Sequence, residues 1–566
     1  MEEFFLGSEM QTLDDDQWLL SPLTFDQIED LDDDEDDQWP LVDARNEPRL
    51  RSLSSSNPLN KRKGGPTMSF DQMEDLDDDD DDEDQWPLVD GRNEPRLRSS
   101  STFNLLNKRK ENPTVSCTRE LDDPRPICES LSTEDIMRLA GTRMIQLSSK
   151  VKDIAFDSSL SGLSDREVRN VELAEYLMSA ADKVRTRQFD HASGLLGLCN
   201  SLAPSDGNTV ERVVHCFSKA LRTKIAKETA TTYDMTNNKE FVIDENQLIS
   251  DKTFMTFHQT VPFHQVQHIA ATQAILDNVE RATKIHVVDL QIRNGLEWIT
   301  LMQALDSRQE YPVEHLKITA LVIGSGSAIE NTKRTGDQLK SFAETINIPL
   351  FSFHVVQIPD LRDFRAGLFE TDPEEALVVF SEFFFNKFTS RPVELDRAMR
   401  EIKTMNPRVM VMIETEANHN SPSFSSRFVE TLFHYSAFFD CLEACMSPEH
   451  EPDRRIMETV IVTELVTNML AAEGEERGMR SVKLDTWRSF FARFGMVEQE
   501  LSDVLLYQVK LVTGKCSGWK FCTTNWDDGS LTIGWKGTPM TSVSVWKFVR
   551  TARLVSGPKD LVVEFV

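Results

Sequence analysis

The amino-acid sequence predicts an α/β fold: a Rossmann-like doubly wound sheet with an N-terminal helical cap, preceded by a long disordered acidic arm. Three observations predict it. Before residue 131 the chain is polar, acidic and internally repeated; from Leu131 to Ile225 apolar residues recur at helical spacing; from Ile285 onward short β-branched runs alternate with helix-period segments. Alternation of the last kind builds parallel sheets, because two parallel strands need a crossover connection of a dozen or more residues between them.

The arm covers residues 1–130. Phe25–Thr67 recurs as Phe70–Thr114: an Asp/Glu run, then Gln-Trp-Pro-Leu-Val-Asp, Arg-Asn-Glu-Pro-Arg-Leu-Arg, a serine patch and Asn-Lys-Arg-Lys, and Leu13–Leu20 repeats the acidic-aromatic part alone. Each copy is too short and too polar to bury a core, and runs of aspartate repel themselves, so an extended chain is expected. Trp18, Trp39 and Trp86 are then exposed aromatics kept in solution by neighbouring carboxylates. That pattern suits transient docking into an apolar groove, as in acidic activation segments, and a solubilising tail has the same composition. Lys61-Arg62-Lys63 and Lys108-Arg109-Lys110 close the two copies, where a basic cluster serves equally as a nuclear import signal or as a solvated charge patch.

Order is expected from Leu131. Ser132-Thr133-Glu134-Asp135 opens a helix with capping-type residues, and Ile136, Leu139, Met144 and Leu147 follow at helical spacing. Leu173, Leu177, Ala180, Ala181 and Val184 then share one face, before Ala192, Leu195, Leu196 and Leu198, and before Val213, Val214, Phe217, Leu221 and Ile225. Leucine at these spacings marks helices packed on one another.

The period then changes. Ile285-His286-Val287-Val288-Asp289-Leu290 follows a helical segment at Ile269–Val279 and precedes Asn294-Gly295 and a helix through Trp298, Leu301, Met302 and Leu305, the outline of a buried parallel strand feeding a crossover. Leu316–Ile323, Phe351–Val356, Ala376–Phe380 and Val409–Ile413 are further strands, and Leu531–Trp535 and Val543–Phe548 alternate as antiparallel strands closing the sheet.

Bulk composition narrows the function. Lys plus Arg number 62 against 94 Asp plus Glu, and the resulting charge of −32 repels a phosphate backbone, so charge gives direct DNA binding no help. The eight cysteines form no CxxC pair and read as reduced intracellular thiols. The opening Met1–Leu6 lacks the basic and long apolar regions of a secretory signal, and no stretch nears the roughly 18 apolar residues that span a bilayer, so no membrane association is expected.

Ile285-His286-Val287-Val288-Asp289 resembles the VHIID motif of the plant GRAS family, and its surroundings agree: Pro262-Phe263 and Ala274-Ile275-Leu276 before it, Gly295, Trp298 and Gln303-Ala304-Leu305 after it. Leu173–Ile225 is similar to the first leucine-rich region and Thr335–Ala343 to the second. Glu414–Asn420, Arg427-Phe428 and Tyr435–Glu443 resemble the PFYRE region. Trp487, Gly495, Gly534-Trp535 and Ser544-Val545-Trp546 resemble the closing SAW region, with Val545 where the name implies alanine. On this resemblance a GRAS domain is expected over 131–566, with leucine-rich region I near 165–230, VHIID near 250–315, leucine-rich region II near 327–359, PFYRE near 368–463 and SAW near 466–549. The resemblance implies a regulator of transcription in the nucleus that works through DNA-binding transcription factors and through homo- or hetero-dimers with other GRAS proteins; the acidic-tryptophan composition of the arm adds the expectation that it addresses the transcription machinery. The arm has no DELLA or TVHYNP stretch, so coupling to the gibberellin receptor is not implied.

The competing reading is a small-molecule-binding or methyltransferase-like Rossmann domain, since fold alone does not set function. Such enzymes use a glycine-rich turn after the first strand and an acid after the second. Here the first turn has one glycine, Gly295, and the second strand ends in Gly324-Ser325-Gly326-Ser327. No cofactor and no catalytic residue are therefore assigned, while another small ligand in the crevice stays open. Asp289 and His286 fail as a pair because they point to opposite faces of a strand, and Asp289 is expected to fix the following loop. His258, His264 and His268 invite a metal reading, but no Cys or carboxylate completes a ligand set and they are expected as separately satisfied side chains. Glu473-Gly474-Glu475-Glu476-Arg477 reads as a helix end running into a charged loop, and Trp298, Trp487, Trp535 and Trp546 as core or groove-lining residues.

Overall fold

The computed structural model describes residues 131–148, 159–229 and 250–549, save positions 325, 347, 447, 516 and 528, together with two short strands at Arg553–Leu554 and Val563–Glu564. The acidic repeat, with Trp18, Trp39, Trp86 and the basic triplets at 61–63 and 108–110, lies outside the described residues.

Four helices come first: α1 (Thr133–Ser148), α2 (Asp165–Arg185), α3 (Phe189–Leu202) and α4 (Thr209–Thr229). Ser132 caps α1, its Oγ accepting from Asp135 N at 3.1 Å, and Ser164 with Glu167 forms a full capping box on α2. After α5 (Asp251–Thr260) and α6 (Pro262–Asn278) the sheet begins, with β1 (Lys284–Asp289), α7 (Leu296–Asp306), β2 (His315–Ile323), α8 (Ser327–Ala343) and β3 (Leu350–Ile358). Then follow β4 (Ala376–Glu382), α9 (Pro392–Met405) and β5 (Val409–Thr415). The C-terminal part holds α10 (Phe424–Cys445), α11 (Glu451–Ile456), α12 (Thr463–Ala471), α13 (Leu484–Ala492), β6 (Met496–Glu498), α14 (Asp503–Lys515), β7 (Cys522–Asp527), β8 (Ser530–Trp535) and β9 (Thr538–Phe548). Each strand expected between Ile285 and Ile413 lies inside one of these elements. The helix expected from Ile269 starts earlier, at Pro262, because proline's fixed φ and missing N–H suit a first helical turn.

The strand order is β3-β2-β1-β4-β5-β9-β8-β7, the first five parallel and the last three antiparallel, with β6 paired to the far end of β9. The chain enters at β1, winds out to β3 and returns to β4 beside β1, so a topological switch point lies between β1 and β4. Ligand crevices in open α/β sheets form at that point, outside the carboxyl ends of the strands. Every residue of β4 is buried, as a central parallel strand covered on both faces requires, whereas β3 at the edge is half-exposed. The mostly exposed β7 carries no apolar alternation, which is why sequence reading misses it.

The residues that resemble the SAW region sit in this closing sheet and the helix behind it. Ser544, Val545 and Trp546 are buried in β9 opposite Met412, Val411 and Met410 of β5, so Val545 fills an aliphatic cross-strand position. Trp546 Nε1 donates to Ser544 Oγ at 2.9 Å and Trp535 Nε1 to Asp440 Oδ2 at 3.0 Å. Trp487 packs among Phe385, Phe490 and Phe491, with centroids 5.7 to 5.9 Å away. Gly495, at positive φ, accepts from Val549 N where the chain turns into β6. Gly534 marks a bulge against β9, and a Cβ there would lie 2.6 Å from Thr538 O and 2.8 Å from Thr523 Oγ1.

The N-terminal helical cap is completed by later helices. A single apolar core joins α1 to α4 with α10 and α12, containing Leu177, Phe217, Phe428, Leu432, Phe439 and Leu470. Phe217 meets Phe428 edge-on at 5.9 Å. Buried Arg212 on α4 crosses the same seam, 2.7 Å from Glu443 and 2.9 Å from Glu458. α10 is buried on most of its faces because it lies between cap and sheet, packing against α1 and α4 on one side and β9 on the other. No helix of the described residues is long and apolar enough to cross a membrane.

Candidate functional site

At the switch point the structure opens a cavity of about 600 Å³. Its walls are Leu290–Arg293 after β1, Leu321–Gly324 at the end of β2, Phe383 and Phe384 after β4, and Thr415 at the end of β5; α5 and α6 contribute Phe254, Phe257, Phe263 and His264, and α10 contributes His434, Tyr435 and Phe438. Phenylalanine and tyrosine rings share the wall with polar and charged side chains, among them Gln267, Arg293, Asn386, Lys387 and Arg391, so the cavity offers both apolar contact and hydrogen-bonding groups.

Strand β1, whose residues resemble the VHIID motif, leads directly into the lining segment Leu290–Arg293. Ile285, His286, Val287, Val288 and Asp289 are all buried. His286 Nε2 pairs with Thr319 Oγ1 at 2.8 Å, while Asp289 Oδ1 accepts from Gln291 N and Oδ2 from Trp298 Nε1, each at 2.9 Å. The two residues therefore serve separate networks, and Asp289 fixes the loop after β1. Burial, then the neighbouring Glu297 carboxylate, pushes the Asp289 carboxyl well above the ordinary range; Glu297 itself is pushed up to about 7, chiefly by burial.

The loop that follows is closed. Gly295 caps α7 in the left-handed region at φ 73°, and the space beyond its Cα belongs to α8: an added Cβ would meet Thr335 Cγ2 at 3.0 Å and Leu339 Cδ1 at 3.2 Å. Thr335 Oγ1 also donates to Arg293 O at 3.1 Å. In nucleotide-binding turns glycines leave that approach open to a phosphate or sugar. Here side chains of the same protein occupy it.

A buried polar group that sequence reading missed stands beneath the crevice. Glu382 ends β4 almost completely buried, accepting from Gln267 Nε2 at 2.9 Å, 3.1 Å from His268 Nε2 and 3.8 Å from Arg293 Nε. Burial opposes its ionisation, but the positive charges at His268 and Arg293 outweigh that and hold its carboxyl well below the usual range. The same pairing raises His268 against its own desolvation. The next residue, Phe383, adopts φ 51°, rare for an aromatic, and is held there by its N–H to Ile413 O at 2.9 Å, with the Arg293 guanidinium 5.2 Å over its ring. The only sequence signal for this group is an acid closing the apolar run Ala376–Phe380.

Glu414 closes β5 in the same layer. Its Oε1 accepts from Phe385 N at 3.0 Å and Asn386 N at 3.3 Å, yet burial dominates and pushes the carboxyl up to about 8. A raised folded pKa contributes stability that is fully present below the unfolded glutamate value of about 4.3 and is lost as pH rises through the folded value. Glu414→Gln keeps an accepting oxygen without the charge. Its melting temperature relative to the parent is expected to be about 2 °C or more higher at pH 9 than at pH 6. An identical difference at both pH values would show that Glu414 does not titrate there.

The run Glu473–Arg477 is a charged loop just after α12, as expected: Glu473 accepts from Arg427 at 2.7 Å and from Lys224 at 2.9 Å, binding cap to loop.

With this geometry in view, the chain compares clearly with known proteins. The GRAS domain family pattern matches residues 173–547. The chain belongs to the GRAS family. Scarecrow-like protein 18 of Arabidopsis thaliana is 31% identical over 66% of this chain and 91% of that protein. DELLA protein GAI1 of Vitis vinifera is 29% identical over 70% of this chain, and the match spans 65% of that protein's length. Among solved structures, SCL7 of Oryza sativa superposes with a TM-score of 0.58 at 23% identity, covering 66% of this chain and 99% of that one, which supports the fold. The GRAS match begins at Leu173, inside α2, so the acidic repeat and α1 lie outside it, whereas α3, α4, the sheet save the last residue of β9 and the helices after β5 lie within it.

Proposed function

We propose that this GRAS protein is a nuclear transcriptional coregulator that acts by binding other proteins and not by catalysis. Membership of the GRAS family across 173–547 carries the reading. The turn after β1, closed over Gly295 by Thr335 and Leu339, supports it. In this reading the folded region grips DNA-binding transcription factors or another GRAS chain, and sequence specificity comes from the partner. Trp18, Trp39 and Trp86 offer acidic-aromatic contacts to the transcription machinery, and Lys61-Arg62-Lys63 with Lys108-Arg109-Lys110 direct import. The net charge of −32 disfavours unaided DNA binding.

The test is a reporter assay with the full chain fused to a heterologous DNA-binding domain. Activation is expected, falling several-fold when Trp18, Trp39 and Trp86 are changed together to alanine. A reporter indifferent to both fusions removes the activation role. Saturable binding of S-adenosylmethionine with turnover would overturn the non-catalytic reading.

A further inference from the structure

His258 stands near the end of α5, and His264 and His268 follow one turn apart on α6. They were expected to be satisfied separately. The corner Thr260-Val261-Pro262 instead folds the two helices together, so that one ring nitrogen of each histidine lies within 4.8 Å of those of the other two. Ring centroids are 5.5 to 6.1 Å apart. The Nδ1 atoms of all three are shut off from solvent and have no hydrogen-bond partner. One such atom costs about 1–3 kcal/mol, so three in one place call for a ligand.

We propose that His258, His264 and His268 together bind one Zn²⁺ ion. Three imidazoles are a recognised zinc ligand set that leaves one position for water, and imidazole nitrogen suits zinc among the common cations. The unpartnered Nδ1 atoms of His258 and His264 leave a ring nitrogen free for a metal. At His268 the unpartnered Nδ1 would face the ion, while Nε2 stays with Glu382 at 3.1 Å. That carboxylate–histidine arrangement orients a ligating ring, so Glu382 acquires a positioning role. Phe254 and Phe257 pack edge-on against His264 at 5.6 and 5.0 Å and keep the surroundings apolar. Water from the cavity that His264 lines would complete the shell. Zn–N bonds of about 2.0–2.1 Å place ligand atoms roughly 3.4 Å apart, so the rings close in by little more than 1 Å at most, within reach of small side-chain rotations. The ion would then pin the α5–α6 corner at the wall of the crevice.

The test uses the full chain, freed of metal by chelator dialysis and titrated with Zn²⁺ alone by competition calorimetry, with Co²⁺ as a spectroscopic substitute. One equivalent of Zn²⁺ is expected to bind saturably, and Co²⁺ to give the intense visible bands of four-coordination. His258→Ala and His264→Gln should each weaken binding at least about tenfold, whereas His191→Ala, at an exposed histidine of α3, should leave it unchanged. Circular dichroism checks that the variants fold; should they not, the Co²⁺ spectrum of the unaltered protein decides. Sub-stoichiometric binding, an octahedral Co²⁺ spectrum, or equal affinity in folded His258→Ala and His191→Ala overturns the site. None of these outcomes bears on the coregulator reading, which makes no use of a metal.

Discussion

Arg427→Met is expected to destabilise the folded region by about 2–4 kcal/mol, since main-chain carbonyls of Met469, Ser421 and Pro422 would lose their donor. Arg427 sits in the first turns of α10 and is completely buried. Its Nε donates to Met469 O at 3.2 Å, its Nη1 to Ser421 O and Pro422 O at 3.0 Å, and its Nη2 to Glu473 Oε1 at 2.7 Å. Met469 O is one of the final carbonyls of α12, which have no partner inside their own helix. One guanidinium thus closes the end of α12, the entry to α10 and the loop beyond α12. Methionine preserves much of the volume and supplies no donor. Lysine retains the charge but cannot reproduce the planar fork, so Arg427→Lys should recover only part of the loss. Chemical denaturation followed by tryptophan fluorescence measures it, and a midpoint unchanged in Arg427→Met would refute the role.

The second large effect is expected at Trp298. Its ring is buried, meets Phe380 of β4 edge-on at 4.9 Å, and donates Nε1–H to Asp289. Trp298→Ala should cost about 3–5 kcal/mol through lost burial and the cavity left behind. Trp298→Phe isolates the polar part: most of the apolar contact survives, but a buried carboxyl loses one of two donors, for about 1–3 kcal/mol. Combined with Asp289→Leu, the Phe substitution should cost less than the sum of the single effects, because no acceptor then remains unsatisfied. Strict additivity in the denaturation midpoints would mean that the Trp298–Asp289 bond contributes nothing.

Much of this fold was legible in the residues themselves. The β-branched run Ile285–Val288 lies in a fully covered strand, and Asp289 fixes the next loop, as its position after that run suggested. Trp298, Trp487, Trp535 and Trp546 all proved to be core residues. The candidate site was less legible. Glu382, Gln267 and Arg293 come from three separate segments, none carrying a spacing that marks it as special. The three histidines were noticed, but their separation in sequence hid a helical corner that overlays them. The full extent of the cap was hidden for a similar reason: α10 and α12 follow β5 by chain order yet complete the core begun by α1 to α4.

Taken alone, the sequence determined which segments are strands and helices, which face of each is apolar, and, through ordered motifs from Leu173 to Trp546, the family. Those properties are local: backbone geometry repeats every 2 or 3.6 residues, so periodic side chains report it directly. Only the tertiary structure decided that helices from both halves share one cap, that α8 fills the turn after β1, and that His258, His264 and His268 converge above Glu382. Such meetings depend on how the chain closes over long separations, and the partner that satisfies a buried polar atom is chosen by that closure and not by its neighbours in sequence.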